Sequence, residues 1–289
     1  MKVGLVVHAG RGDSIAAAST AARWLREHEV DVVVARDESA TSTGPVLGDG
    51  PVELRAPEDF AVGLDLAISF GGDGTFLRAA HLCRDADVPT LGVNLGRLGF
   101  LAEIELDGLQ PALEAVVAGR WTVEERATLE VEVVDADGHP VWSEWALNEV
   151  SIEKTARQRL LRMDVHVDGT LFARVPADAL VIATATGSTA YALSAGGPIL
   201  SPRHAGTLVV PVAPHSLFDR TVVAGPHEPV HVWLTDDQPP AVVSCDGREP
   251  VQVSAGGWVL ARGDGRPVRL AHVGVPDFWS LVRRKFGLR

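Results

Sequence analysis

The first hundred residues alternate short apolar runs with segments of helical period. That alternation restricts them to βαβ units built around a parallel sheet. Val3–His8 reads as a first core strand, and Asp13 stands where it would cap a helix whose Ile15, Ala18, Ala22 and Leu25 share one face. Val30–Ala35 is a second strand, Leu64–Phe70 a third, Thr75–Arg84 a helix, and Pro89–Leu95 a fourth strand with Asn94 at its end. Residues 36–59 mix Ser, Thr, Gly, Pro and acids without a period, and they are expected to form a mobile surface segment.

From about Trp121 the period changes to two. Leu129, Val131 and Val133 alternate with Glu130 and Glu132, and Met163, Val165 and Val167 alternate with Asp164 and His166, as half-buried strands require. Asp168-Gly169 and Asp246-Gly247 are hairpin-turn signals, and β-rich runs recur at 180–184, 207–213, 230–234, 241–245 and 257–261. A chain of 289 residues exceeds one ordinary domain of roughly 100–200 residues. The expected division is an α/β domain over 1–105 and an all-β domain over 106–274, with a basic, helical tail over 275–289 that is a candidate to rejoin the first domain.

The formal net charge of −12 opposes the positive field that nucleic acid or an anionic membrane requires, so neither is an expected partner. No apolar run approaches the ~18 residues of a membrane span, and Met1–His8 is too short for a secretory signal. Cys83 and Cys245 have neither CxxC nor zinc-type spacing, so they read as reduced, packed thiols of a cytoplasmic protein. An anionic ligand must then be held locally, by backbone N–H groups, a few arginines and a metal ion. The acidic run Glu103–Asp107 reads as a solvent-facing linker rather than a metal cage, and Arg203, Arg220, Arg248 and Arg262 read as solvated surface.

Gly71-Gly72-Asp73-Gly74-Thr75 lies between an apolar strand and a helix. Its glycines allow close backbone approach and the helix start offers unpaired N–H donors, a combination that suits a phosphate. A carboxylate at such a site is unfavourable unless it binds a metal, accepts a proton or hydrogen-bonds a hydroxyl; the plain alternative is that Asp73 caps the helix. A Walker loop is excluded because none of Lys2, Lys154 and Lys285 follows a glycine, and a GxGxxG fingerprint from Gly10 fails at Ile15.

The pentapeptide resembles the motif shared by NAD kinases, by 6-phosphofructokinases in variant form, and by diacylglycerol and sphingosine kinases. Three further segments resemble NAD kinases in order and spacing: Asn94-Leu95-Gly96-Arg97-Leu98-Gly99-Phe100-Leu101, Leu147-Asn148-Glu149-Val150, and the run from Ala177 to Ile199. The resemblance implies a Rossmann-like α/β domain followed by a β-sandwich, with the dinucleotide in the cleft between them, within a homodimer or homotetramer. It also implies ATP or polyphosphate as donor, NAD as acceptor, and a divalent metal such as magnesium. Carried over by position, Asp73 is the catalytic acid and Gly74 a backbone contact. Arg78, Asn148, Glu149, Asp178, Thr189, Ala190, Tyr191, Ala192, Leu193 and Ser194 are dinucleotide or phosphate contacts, with Arg159 a further candidate. Ala179 and Ala185 stand where the family usually has glycine and proline, which leaves the geometry around Asp178 open.

From the residues alone, Thr186–Tyr191 joins hydroxyls to the chain's only tyrosine, which suits a ribose and an aromatic base. Asn148-Glu149 offers an amide and a carboxylate together, which suits paired ribose hydroxyls. The expected function is transfer of a phosphoryl group to the 2′-hydroxyl of the adenosine ribose of NAD. A lipid kinase sharing the GGDGT loop and a non-catalytic NAD-binding module are the alternatives.

Overall fold

The structure, a computed structural model, describes residues 1–8, 10–36, 53–96, 99–217 and 219–288. The chain begins with β1 (Lys2–Val7), α1 (Gly12–Glu27), β2 (Asp31–Ala35) and β3 (Glu53–Arg55). It continues through β4 (Leu66–Gly71), α2 (Asp73–Cys83), β5 (Thr90–Asn94), β6 (Ile104–Glu105), α3 (Leu109–Val117) and β7 (Thr122–Arg126). Twelve strands follow: β8 (Leu129–Val134), β9 (Pro140–Ala146), β10 (Glu149–Lys154), β11 (Leu161–Val167), β12 (Thr170–Ala177), β13 (Ala179–Ala183), β14 (Thr207–Val212), β15 (Val222–Ala224), β16 (Val230–Leu234), β17 (Ala241–Cys245), β18 (Val251–Val253) and β19 (Trp258–Arg262). A four-residue helix, α4 (Tyr191–Ser194), interrupts them, and β20 (Val268–His272) and α5 (Phe278–Phe286) close the chain. Among the described residues, no helix is long and apolar enough to cross a membrane.

Two compact units result, Met1–Glu125 with Val268–Arg289, and Arg126–Pro267. Compared with the expected division, α3, β7 and β20 belong to the first unit. Their apolar residues explain why: Leu109, Ala112, Leu113 and Val116 of α3 pack with α1 and the first sheet, as does Ala271 of β20. The first sheet runs β3-β2-β1-β4-β5-β20-β7, with β6 on β5, and its β1–β2, β1–β4, β2–β3, β4–β5, β5–β6 and β5–β20 pairings are parallel. Helices α1 and α3 cover one face, while α2 covers the other through Ala79 and Cys83. Such a doubly covered sheet explains the unbroken apolar runs: Phe70, Ile68 and Leu66 are all fully buried. Each buried side chain of this size contributes about 1.5–3 kcal/mol.

The second unit holds two six-stranded sheets, β15-β14-β13-β10-β17-β18 and β12-β11-β16-β19-β8-β9, whose strand pairings are antiparallel. Leu129, Val131, Val133, Met163 and Val165 of one sheet share a core with Val150, Ile152, Leu180 and Val243 of the other, the sandwich that the period of two requires. Both hairpin signals are turns in which two successive residues have positive φ: Asp168 at 48° with Gly169 at 74°, and Asp246 at 51° with Gly247 at 66°.

Several local expectations change. Within the 36–59 segment, residues 37–52 lie outside the described residues, but Glu53–Arg55 pairs with β2 and Pro57–Asp59 forms a 3₁₀ turn. Asp13 does not cap α1; it lies in the first turn, where it pairs with Arg11 at 2.6 Å and accepts the Ser14 N–H. The Glu103–Asp107 run is no simple linker. Ile104 is buried in β6, Glu103 pairs with the buried His272, and Glu105 faces Arg284. Arg248 is likewise not solvated surface, because it stacks over Trp145, pairs with Glu144 at 2.9 Å and donates to the Trp145 carbonyl. Both cysteines are buried free thiols, and burial pushes the Cys83 thiol up to about 12.

Candidate active site

In the first unit, β4 ends at Gly71 and α2 begins at Asp73 with Gly72 as its N-cap. Strand β4 adjoins β1, where the strand order of the sheet reverses, and ligands of open parallel sheets bind at the carboxyl ends of strands at such a point. Asp73 makes no cap on α2. Its carboxylate reaches across to the segment after β5 and accepts backbone N–H groups of Phe100 at 2.9 Å, Leu101 at 3.0 Å and Ala102 at 3.4 Å. A Cβ on Gly99 would lie 2.2 Å from Asp73 Oδ1, so only glycine lets this segment wrap the carboxylate. Oδ1 receives two of the three bonds, which leaves Oδ2 with acceptor capacity for a hydroxyl.

Gly74 is exposed, with open space around its Cα. Arg78, one turn further along α2, donates to the Arg36 carbonyl at 2.9 Å, so part of its donor set is used at the end of β2. The Gly71 carbonyl accepts the Leu95 N–H at 2.9 Å, and Asn94 Oδ1 accepts from Gly96, which ties the glycine loop to the Asn94–Gly96 turn.

In the second unit, Asn148 and Glu149 stand at the start of β10, fixed from two sides. Asp246 accepts the N–H groups of Leu147 and Asn148 at 2.8 Å each and of Glu149 at 3.1 Å. On the other side Thr184 donates its hydroxyl to the Leu147 carbonyl and accepts the Gly187 N–H. A Cβ on Gly187 would lie 2.0 Å from the Asn148 carbonyl oxygen, so the turn can approach this strand only with glycine there. The Tyr191 N–H donates to the Glu149 carboxylate, whose Oε2 is buried and without a partner. Burial, reinforced by the Asp246 charge, raises the Glu149 carboxyl to about 7.

Thr189 and Ala190 are half-buried and lead into Tyr191, whose phenol is pushed up by burial and by the carboxylates of Glu153, Glu149 and Asp178. Ala192 is fully buried against Val181, Ala183, Leu208 and Val210, so it has no side-chain surface to offer a ligand. Leu193 is half-buried and Ser194 exposed. Asp178, just before β13, is ion-paired with Lys154, and Arg159 lies exposed in the loop after β10, lining the same small depression as Lys154. Ala179 and Ala185 are both buried, and neither has positive φ, so alanine fits where the family pattern has other residues.

The structure thus groups Asn148, Glu149, Thr189, Ala190 and Tyr191, and it places Asp73 on its glycine loop. Asp246 and Lys154 were missed as functional supports. Asp246 carried a turn signal that concealed its second role as acceptor for a strand about a hundred positions away, and Lys154 gave no signal beyond being one of three lysines.

A glycine loop presenting a carboxylate at a strand-to-helix junction, in one chain with a β-sandwich that frames Asn148 and Glu149, fits a phosphoryl-transfer enzyme of the kinase class. The ATP-NAD kinase N-terminal domain family matches residues 3–121, and the ATP-NAD kinase C-terminal domain family matches residues 147–272. The NAD kinase of Nocardia farcinica is 40% identical over 98% of this chain and 90% of its own length. Among solved structures, yeast NADH kinase complexed with NADH superposes with a TM-score of 0.86 at 25% identity, covering 99% of this chain and 87% of that one. An NAD kinase from Archaeoglobus fulgidus in complex with ATP shares the fold, with a TM-score of 0.73 at 23% identity over 100% of this chain and 98% of that one. The chain belongs to the NAD kinase family, and it is an enzyme with the kinase activity on NAD that defines that family.

Proposed function

We propose that Asp73 orients the 2′-hydroxyl of the adenosine ribose of NAD and accepts its proton as the ribose oxygen bonds to the terminal phosphorus of the donor. The bond from that phosphorus to the leaving oxygen breaks, and ADP departs when ATP is the donor. Phosphoryl transfer has a loose transition state, so positioning and charge neutralisation outweigh base strength, and an aspartate suffices. Loop amides at the start of α2 face the donor phosphates. Asn148 and Glu149 hold ribose hydroxyls, and Thr189 through Ser194, with Tyr191 laid against a ring, hold the rest of the dinucleotide. Arg78 is assigned to the donor phosphates, and Asp178 and Arg159 to the dinucleotide.

The observation that carries this reading is the unpartnered Glu149 Oε2, buried beside Asn148 on a frame fixed by Asp246 and Thr184. A buried acceptor without a donor is costly, and a ribose hydroxyl supplies one. The glycine loop does not itself build a cage for magnesium. Asp73 is its one carboxylate and already accepts three N–H groups, whereas a hard cation needs several converging oxygens. Among the described residues, a grouping of three candidate ligands occurs at Asp135, Asp137 and His139, where Asp135 is occupied by the turn's own N–H groups. A divalent ion therefore enters with the donor's phosphates. Polyphosphate as a second donor, a cytoplasmic location and a homo-oligomeric state complete the proposal.

The test is NADP formation by the purified chain from NAD with ATP or polyphosphate. Asp73→Asn is expected to lower kcat by about 10²–10⁴-fold with little change in NAD binding. Near-normal turnover in that variant would remove Asp73 from the chemistry.

A further inference from the structure

Helix α5 returns the end of the chain to the Asp73 loop. Asp277 caps it by accepting the Ser280 N–H at 3.0 Å, and Gly287, with φ of 61°, ends it. Between these caps, Phe278 and Phe286 bracket the Phe100 ring at centroid distances of 6.2 and 6.4 Å, and the Lys285 ammonium lies over that ring at 4.0 Å. Phe100 is the residue whose N–H holds Asp73 Oδ2. Lys285 is thus brought to the neighbourhood of the proposed catalytic carboxylate by an aromatic clamp. Its ammonium has three N–H donors and no acceptor among the described residues, and burial against the ring lowers its proton affinity while the Asp73 charge raises it.

The chain has three lysines. Lys154 is committed to Asp178, and the glycine loop has no lysine of its own, yet its Asp73 would repel a polyanionic donor. A flexible ammonium beside that carboxylate can leave an aromatic face for a phosphate oxygen, because a charge-assisted hydrogen bond is stronger than the contact with the ring. We infer that Lys285 binds the terminal phosphates of the donor, placing a cation supplied by the tail where nucleotide-binding loops of other folds carry their own lysine. The inference rests on the glycine loop being the donor's site.

The experiment compares the full wild-type chain with Lys285→Met and Lys285→Arg. Binding of inorganic tripolyphosphate is measured by calorimetry, and KM for ATP, KM for NAD and kcat by NADP formation. Lys285→Met should weaken tripolyphosphate binding and raise KM for ATP by about 10–100-fold, with KM for NAD within about twofold of wild type, and Lys285→Arg should recover most of the loss. Thermal midpoints of the variants report whether the Phe100 clamp is intact. Unchanged tripolyphosphate binding in Lys285→Met, a loss shared fully by Lys285→Arg, or a wild type that does not bind tripolyphosphate would overturn the inference. Absence of NADP formation by the wild type would strike the proposed reaction instead, while the calorimetric comparison still decides the role of Lys285.

Discussion

Glu149→Gln isolates the electrostatic state of the buried carboxyl at the start of β10. Burial, with help from Asp246, moves the Glu149 carboxyl from an ordinary 4.5 to about 7. A carboxyl raised on folding binds its proton more tightly in the native state, so the stability it contributes is fully present below pH ~4.5 and is lost as pH rises through ~7. At about 1.4 kcal/mol for each pH unit between the two values, the full loss is about 3.5 kcal/mol. Glutamine keeps the shape and the acceptor for the Tyr191 N–H without ever ionising. The assay is urea denaturation of the full chain between pH 5 and pH 8, followed by tryptophan fluorescence. Glu149→Gln should match wild type near pH 5 and exceed it by about 2–3 kcal/mol at pH 8. NAD binding should move the opposite way, tightening in the wild type as the carboxylate ionises to accept ribose hydroxyls and staying flat in the variant. Parallel stability curves for the two proteins across this range would refute the argument.

Gly99→Ala places a Cβ 2.2 Å from Asp73 Oδ1, so the carboxylate must leave its cradle. NADP formation should then fall by about 10²-fold or more with NAD binding retained, and normal kcat would show that the cradle is not needed. Asp246→Ala strips the acceptor from three backbone N–H groups, which at about 1–3 kcal/mol each should cost several kcal/mol in denaturation and loosen NAD binding, with Asp246→Asn intermediate.

The chemistry-bearing segments were legible because their residue types have few other uses. Glycines around a lone acid at a strand-to-helix junction, and a hydroxyl-rich turn after an apolar strand, announce themselves locally. The period change near Trp121 likewise separated a parallel α/β sheet from antiparallel strands without any knowledge of contacts. Domain boundaries were less legible. Strand β20 has the same apolar character as the sandwich strands that precede it, and only its place between β5 and β7 assigns it to the first sheet. The short strands β3 and β6 carry too few residues for a period to show, and they are strands only because the edge of β2 and the end of β5 beyond its pairing with β20 take a partner.

What the sequence determined by itself was therefore the set of local geometries: which runs are strands, where the chain turns, and which loops can approach a phosphate or a sugar. Tertiary structure alone decided which distant groups meet. Asp73 is held by amides 27 to 29 positions away, Asn148 and Glu149 by a carboxylate nearly a hundred positions away, and Phe100 by a helix at the other end of the chain. The physical reason is that hydrogen bonds and burial depend on distance in space, and a one-dimensional pattern records only the preferences of neighbours along the chain.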